Sequence, residues 1–145
     1  MTKAGDNEKE FRDRMGKNQN DIDNLLGKLR LCDTDKANIS VDGHFAYNGK
    51  LYLVEIDSAN EAKLLAGQYI LLDVLFNTAK LMNYSKANCV FLVIHYFNDY
   101  NPERTEKVLK TLKNKLKTTI NFMAFHQKDI SDWSELLSKI DSKSK

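Results

Sequence analysis

The chain has 145 residues, 42% hydrophobic and 29% charged, a make-up that suits one globular domain able to bury about two-thirds of its unfolded surface. Its formal net charge of +2 creates no global demand for a polyanionic partner, so any such demand must come from local clusters. The longest apolar run, YILLDVLF at 69–76, is interrupted by Asp73 and is far short of the ~20 residues of a membrane span.

The opening MTKAGDNEKE lacks the apolar segment of a signal peptide. Cys32 and Cys89 show no metal-ligand spacing, and the expected setting is a reduced cytoplasm. Phe11, Met15, Ile22, Leu25, Leu26 and Leu29 recur at helical spacing, and Gly16 with KNQN breaks this stretch into two helices. ISVDGHFAY (39–47) and KLYLVEI (50–56) read as strands joined by Asn48-Gly49, the pair that a two-residue type I′ turn favours. Ser58 or Asn60 offers an N-cap for a helix over 61–82, apolar on most sides and so expected to be covered on both flanks.

NCVFLVIHY (88–96) reads as a strand buried on both faces, with Cys89 as a small apolar member. Next come a helix over 103–117 with Val108, Leu109, Leu112 and Leu116 inward, and a strand over INFMAFH (120–126). A helix over 131–140 capped by Ser131 follows, and residues 141–145 form a frayed tail. The order is α-β-β-α-β-α-β-α in a single domain, 1–145. Strands separated by helices imply parallel crossovers, hence an α/β fold: a mixed sheet with an early antiparallel hairpin and helices on both faces.

The hairpin register carries the functional reading. With Asn48 and Gly49 as loop residues, Tyr47 pairs with Lys50, Phe45 with Tyr52, Val41 with Ile56 and Asp42 with Glu55. Val41, Phe45, Tyr47, Tyr52, Val54 and Ile56 then share a core face, while Asp42, His44, Leu53, Glu55 and Asp57 share the other. Three carboxylates on one patch repel one another, more strongly as the dielectric falls. A divalent cation, a shared proton, or a lysine or arginine reaching in would relieve this. Oxygen ligands alone suit Mg²⁺, Mn²⁺ or Ca²⁺ rather than zinc. A solvated hairpin edge would carry the same residues, but Lys63 and Gln68, polar positions in an otherwise apolar helix, turn the reading toward a site.

From about Glu8 to Phe125 the pattern resembles the PD-(D/E)xK nuclease superfamily, which includes restriction endonucleases and Holliday-junction resolvases. Asp42 in VDG matches its first aspartate, Glu55-Ile56-Asp57 its (D/E)xK element, and Gln68 in AGQY a glutamine often found on the next helix. Members similar to the junction resolvases add a glutamate on the first helix, for which NEKEF offers Glu8 or Glu10, with Glu8 on the stripe of Phe11 and Met15. The resemblance implies a restriction-endonuclease-like core in α-βββ-α-β order. It also implies hydrolysis of DNA phosphodiesters by a structure-specific or restriction-like endonuclease using Mg²⁺ or Mn²⁺. Asp42 and Glu55 would bind the metal, Asp57 would be a further ligand or a water-orienting base, and Glu8 would complete a second metal position. Gln68 would position phosphate or water. Asp57 stands where the family has its lysine, and Lys63 is the candidate for that lysine moved to the helix.

His44, on the acidic face, is open as a general base, a phosphate contact or a bystander; His95 and His126 end apolar strands and read as structural. Arg104, Lys107, Lys110 and Lys117 recur along the 103–117 helix, with Lys113 and Lys115 near, as a phosphate-tracking stripe or a solvated face would. A nuclease cutting both strands would work as a homodimer, with Trp133, Leu136 and Leu137 as the surface. Two rivals stand: a catalytically degenerate nuclease-like domain serving as a binding module, and a small adaptor whose acidic face contacts a basic partner.

Overall fold

The computed structural model describes residues 4–16, 27–32, 37–76 and 84–144. The expected second N-terminal helix, with Ile22, Leu25 and Leu26, and the end of the 61–82 helix lie outside them. Helix α1 (Ala4–Met15) turns Phe11 and Met15 inward one turn apart. Strands β1 (Leu29–Cys32) and β2 (Asn38–Val41) pair antiparallel in a small sheet of their own. Strands β3 (Gly43–Tyr47) and β4 (Lys50–Asp57) form the hairpin. Its Asn48 and Gly49 have φ of 52° and 79°, the left-handed values that a type I′ turn needs. Helix α2 (Ala62–Leu75), strand β5 (Cys89–His95), helix α3 (Pro102–Leu116), strand β6 (Asn121–His126) and helix α4 (Trp133–Lys143) complete the chain.

The main sheet runs β3-β4-β5-β6, antiparallel in its first pair and parallel thereafter, so the fold is α/β with a mixed sheet. Alternation divides its side chains between two cores. Leu51, Leu53, Phe91 and Val93 meet Leu65, Tyr69 and Leu72 of α2 and Leu109 of α3. On the reverse, Phe45, Tyr52, Val54, Leu92 and Ile94 meet Phe11 of α1 and Trp133, Leu136 and Ile140 of α4. Strand β5 is buried at every position, as its apolar run predicts. Burial pushes the Cys89 thiol up to about 11, consistent with a small hydrophobe. No described helix is long and apolar enough to cross a membrane.

Several expectations are corrected. Leu29 begins a strand instead of continuing a helix. The 39–47 run breaks at Asp42, because β2 pairs with β1 while β3 pairs with β4; Val41 therefore enters the core under α2, not the one shared by Phe45 and Tyr52. Helix α2 begins after Glu61 with no side-chain cap, so neither Ser58 nor Asn60 caps it. Leu64, Leu71 and Val74 are exposed among the described residues, leaving α2 covered on one side. Leu116 is exposed because the helix has already reached its left-handed end at Lys117. Asp132, not Ser131, caps α4, accepting from Glu135 N, while Ser131 N donates back to Glu135 Oε1 at 2.8 Å. Residues 141–143 are helical and tied down, through Tyr47 to Asp141 and Lys143 to Glu106. Trp133, Leu136 and Leu137 are buried in the core, which removes the surface expected for a dimer.

Candidate functional site

Asp42 occupies the bend where the chain leaves β2 and enters β3. The β3–β4 ladder stops at Gly43 and Val54, so the Ile56 amide beyond it lacks a strand partner on that side. Asp42 supplies one: its Oδ2 accepts from Ile56 N at 2.8 Å. This corrects the expected direct pairing of Asp42 with Glu55. The two carboxylates are neighbours because a side chain reaches across, not because the register opposes them.

Glu55 points to the α2 side of the sheet, sharing a face with Leu51 and Leu53. From α2, Gln68 Nε2 donates to Ser40 O at 3.1 Å and brings its amide beside Glu55. Burial and the Asp42 carboxylate push the Glu55 carboxyl up to about 8, and the Gln68 amide opposes them. Glu55 Oε1 is buried without a hydrogen-bond partner. Such an atom costs free energy unless a proton, a cation or a donor reaches it.

Glu8 approaches from the other side of the sheet. It lines a narrow cleft with Phe11, Arg12, Asp42, Val54 and Ile56. Arg12 Nη2 donates to the Asp42 carbonyl at 2.9 Å and lies 3.4 Å from Glu8 Oε1. Glu10 is turned elsewhere, accepting from Tyr96 Oη at 3.0 Å and pairing with Arg14. Of the two glutamates, Glu8 is the one beside Asp42.

Asp57 is not drawn into the pair. Its Oδ2 lies 3.2 Å from His95 Nδ1, and its Oδ1 accepts from Ala59 N at 3.4 Å. Lys63 is exposed. Five positions before Gln68, it is turned about 140° around the helix from it, and no cation of α2 stands beside the carboxylates. His44 donates from Nδ1 to the Gly27 carbonyl at 2.9 Å. On α3, the Arg104 guanidinium lies 5.2 Å from the Tyr100 ring centre, and Lys107 and Lys110 line a shallow groove with Glu103 and Glu106. The N-terminus of α3 is at the same end of the parallel strands as Glu55. The stripe therefore leads away from the site, from Arg104 to Lys117 about 20 Å farther on.

The residues that sequence reasoning missed are His95, as the partner of Asp57, and Thr105, whose Oγ1 lies 2.8 Å from His95 Nε2. His126 is buried and accepts from Lys128 N at 3.2 Å, with Nε2 unpartnered.

Among the described residues no three His, Cys, Asp or Glu side chains are grouped to cage an ion by themselves. Mg²⁺ does not ask for that: it keeps several waters and binds through one or two carboxylates plus substrate phosphates. Asp42 and Glu55, hard oxygen donors with one buried oxygen unsatisfied, fit such an ion. Comparison with protein-family models, with curated proteins and with solved structures returned no match.

Proposed function

We propose that this chain is a divalent-metal-dependent endonuclease with a restriction-endonuclease-like core, hydrolysing DNA phosphodiesters. The observation that carries the reading is the pair Asp42–Glu55, two adjacent carboxylates at one end of the sheet with a buried, unsatisfied oxygen. Asp42 and Glu55, with the Ile56 carbonyl between the strands, would hold Mg²⁺ or Mn²⁺; Glu8, beside Asp42, is the residue for a second position. When bound, the ion would lower the pKa of a coordinated water and neutralise charge on the phosphate.

The chain's own groups have separable tasks. Asp42 secures the end of the hairpin through Ile56 N and stands with its carboxylate beside Glu55. Gln68 orients the Glu55 carboxyl while anchored to Ser40 O. In the ion-free protein burial and the Asp42 carboxylate favour the protonated form of Glu55, which relieves its repulsion with Asp42. Arg104, at the site's end of α3, would meet the DNA backbone first, with Lys107, Lys110 and Lys117 extending the track.

A second reading has its own observation. Asp57 stands at the family's lysine position and Lys63 faces solvent, so neither Asp57 nor Lys63 supplies the motif's cation, as in a degenerate domain kept for binding. One experiment separates them. Plasmid and branched DNA are incubated with the chain in Mg²⁺ or Mn²⁺, beside Asp42→Asn and Glu55→Gln. Cleavage by the wild type that both substitutions abolish supports the nuclease; DNA binding without cleavage in either metal supports the module.

A further inference from the structure

We propose that His95 is a positioning residue for the acidic site. By committing the Asp57 carboxylate to an Asp57–His95–Thr105 chain whose last two members are buried, it withholds the third carboxylate and leaves Asp42 and Glu55 as the cation-binding pair. The inference rests on the cation-binding reading above.

Residues 55 and 57 lie on one face of β4, two positions and about 7 Å apart, a span that two carboxylates can bridge around one ion. Asp57 nevertheless points along the sheet to β5. There His95 is its register partner, and the Tyr96 amide donates to the Asp57 carbonyl at 2.8 Å. Every polar atom of the imidazole is engaged: Nδ1 with Asp57 Oδ2 and Nε2 with Thr105 Oγ1. His95 and Thr105 are both fully buried. The ring stacks on Tyr100 with centroids 4.3 Å apart, and Tyr100 Oη also lies 3.4 Å from Thr105 Oγ1. A leucine or phenylalanine would fill this space without desolvating anything polar. A fully satisfied polar chain in its place fixes one arrangement of its members.

The consequence is a charge count. With Asp57 held by His95, the site offers the two carboxylates that suit Mg²⁺ with its retained waters; a third would favour tighter binding of a less selective kind. His95 therefore sets cation affinity without touching the cation.

Mn²⁺ titration of the intact protein by calorimetry tests this. His95→Phe keeps the ring stack and releases Asp57, and is expected to tighten Mn²⁺ binding about tenfold through the added ligand charge. The double variant His95→Phe/Asp57→Asn is expected to return to the wild-type affinity, a reversal that mere structural damage would not produce. Should His95→Phe fold poorly, Thr105→Val removes the anchor of Nε2 with little change of shape, and the same tightening, smaller in size, is expected to vanish on adding Asp57→Asn. A tenfold loss in Asp57→Asn alone would make Asp57 a ligand and overturn the proposal, as would a change that Asp57→Asn does not reverse. A wild type that binds no Mn²⁺ would count against the cation site itself. Even then, the appearance of an Asp57-dependent site in His95→Phe supports the withholding role, and its absence overturns it.

Discussion

Asp73 and Glu55 are two acids on the same side of the sheet, both largely out of water, and their surroundings are opposite. Asp73, in the fourth turn of α2, has each oxygen occupied: Oδ1 accepts from Thr119 N at 2.8 Å and Ile120 N at 3.0 Å, and Oδ2 from Lys86 Nζ at 3.2 Å. It pins α2 to the segment entering β6. Glu55 has a like charge for a neighbour and an oxygen with no partner. Burial of a carboxylate does not by itself mark a site; what distinguishes the two places is whether the desolvated oxygens are satisfied.

The sharpest way to break this comparison is to remove the satisfied acid. Asp73→Ala strands a half-buried ammonium and two backbone amides, and is expected to cost about 3 kcal/mol in urea unfolding; a loss below about 1 kcal/mol would mean that the pin is redundant. Next in size is Glu55→Gln in the ion-free protein. A carboxyl with a folded value of about 8, against 4.5 for the free group, binds its proton more tightly when folded. Its contribution is therefore fully present below pH 4.5 and is lost as the pH rises to about 8. Glutamine cannot ionise, so Glu55→Gln is expected to match the wild type near pH 4 and to exceed it by about 2 kcal/mol above pH 8, a figure reduced from the full shift for partial exposure and coupling. Thermal melts across that range check it, and added Mg²⁺ should narrow the gap by stabilising only the wild type. The smallest effect calibrates the scale: Asp132→Ala removes a simple exposed helix cap and is expected to cost about 1 kcal/mol with no dependence on divalent ions.

How much of this was legible in the sequence depends on the range of the interactions. The hairpin was local, since Asn48-Gly49 dictates a turn type and the turn dictates a register, and the structure keeps that register from Tyr47 to Gly43. The break at Asp42 had a local sign as well. Asp-Gly is a breaker pair, and reading through it as one strand put Val41 on the wrong face. Trp133, Leu136, Leu137 and Ile140 recur at helical spacing, and taken as a stripe they announce a face turned to the core instead of a free surface. Lys63 could have been excluded on the same ground, because its spacing from Gln68 does not bring both to one side of a helix. The Asp57–His95–Thr105 chain had no such signal. Its alignment follows from the parallel register of β4 and β5, which the connection through α2 sets and no nearby residue encodes. The acidic residues Asp42 and Glu55 were legible as residue types near one end of the hairpin; the turn of Asp57 toward His95 was not.

On the proposed reading, Asp42 and Glu55 together hold a divalent cation. Crystals soaked in Mn²⁺ and measured at the manganese absorption edge test it most directly. An anomalous peak is expected between the Asp42 and Glu55 carboxylates, with Asp57 still turned to His95. An empty gap with a proton shared between the two acids, or a peak bound by Asp57 in their place, would contradict it.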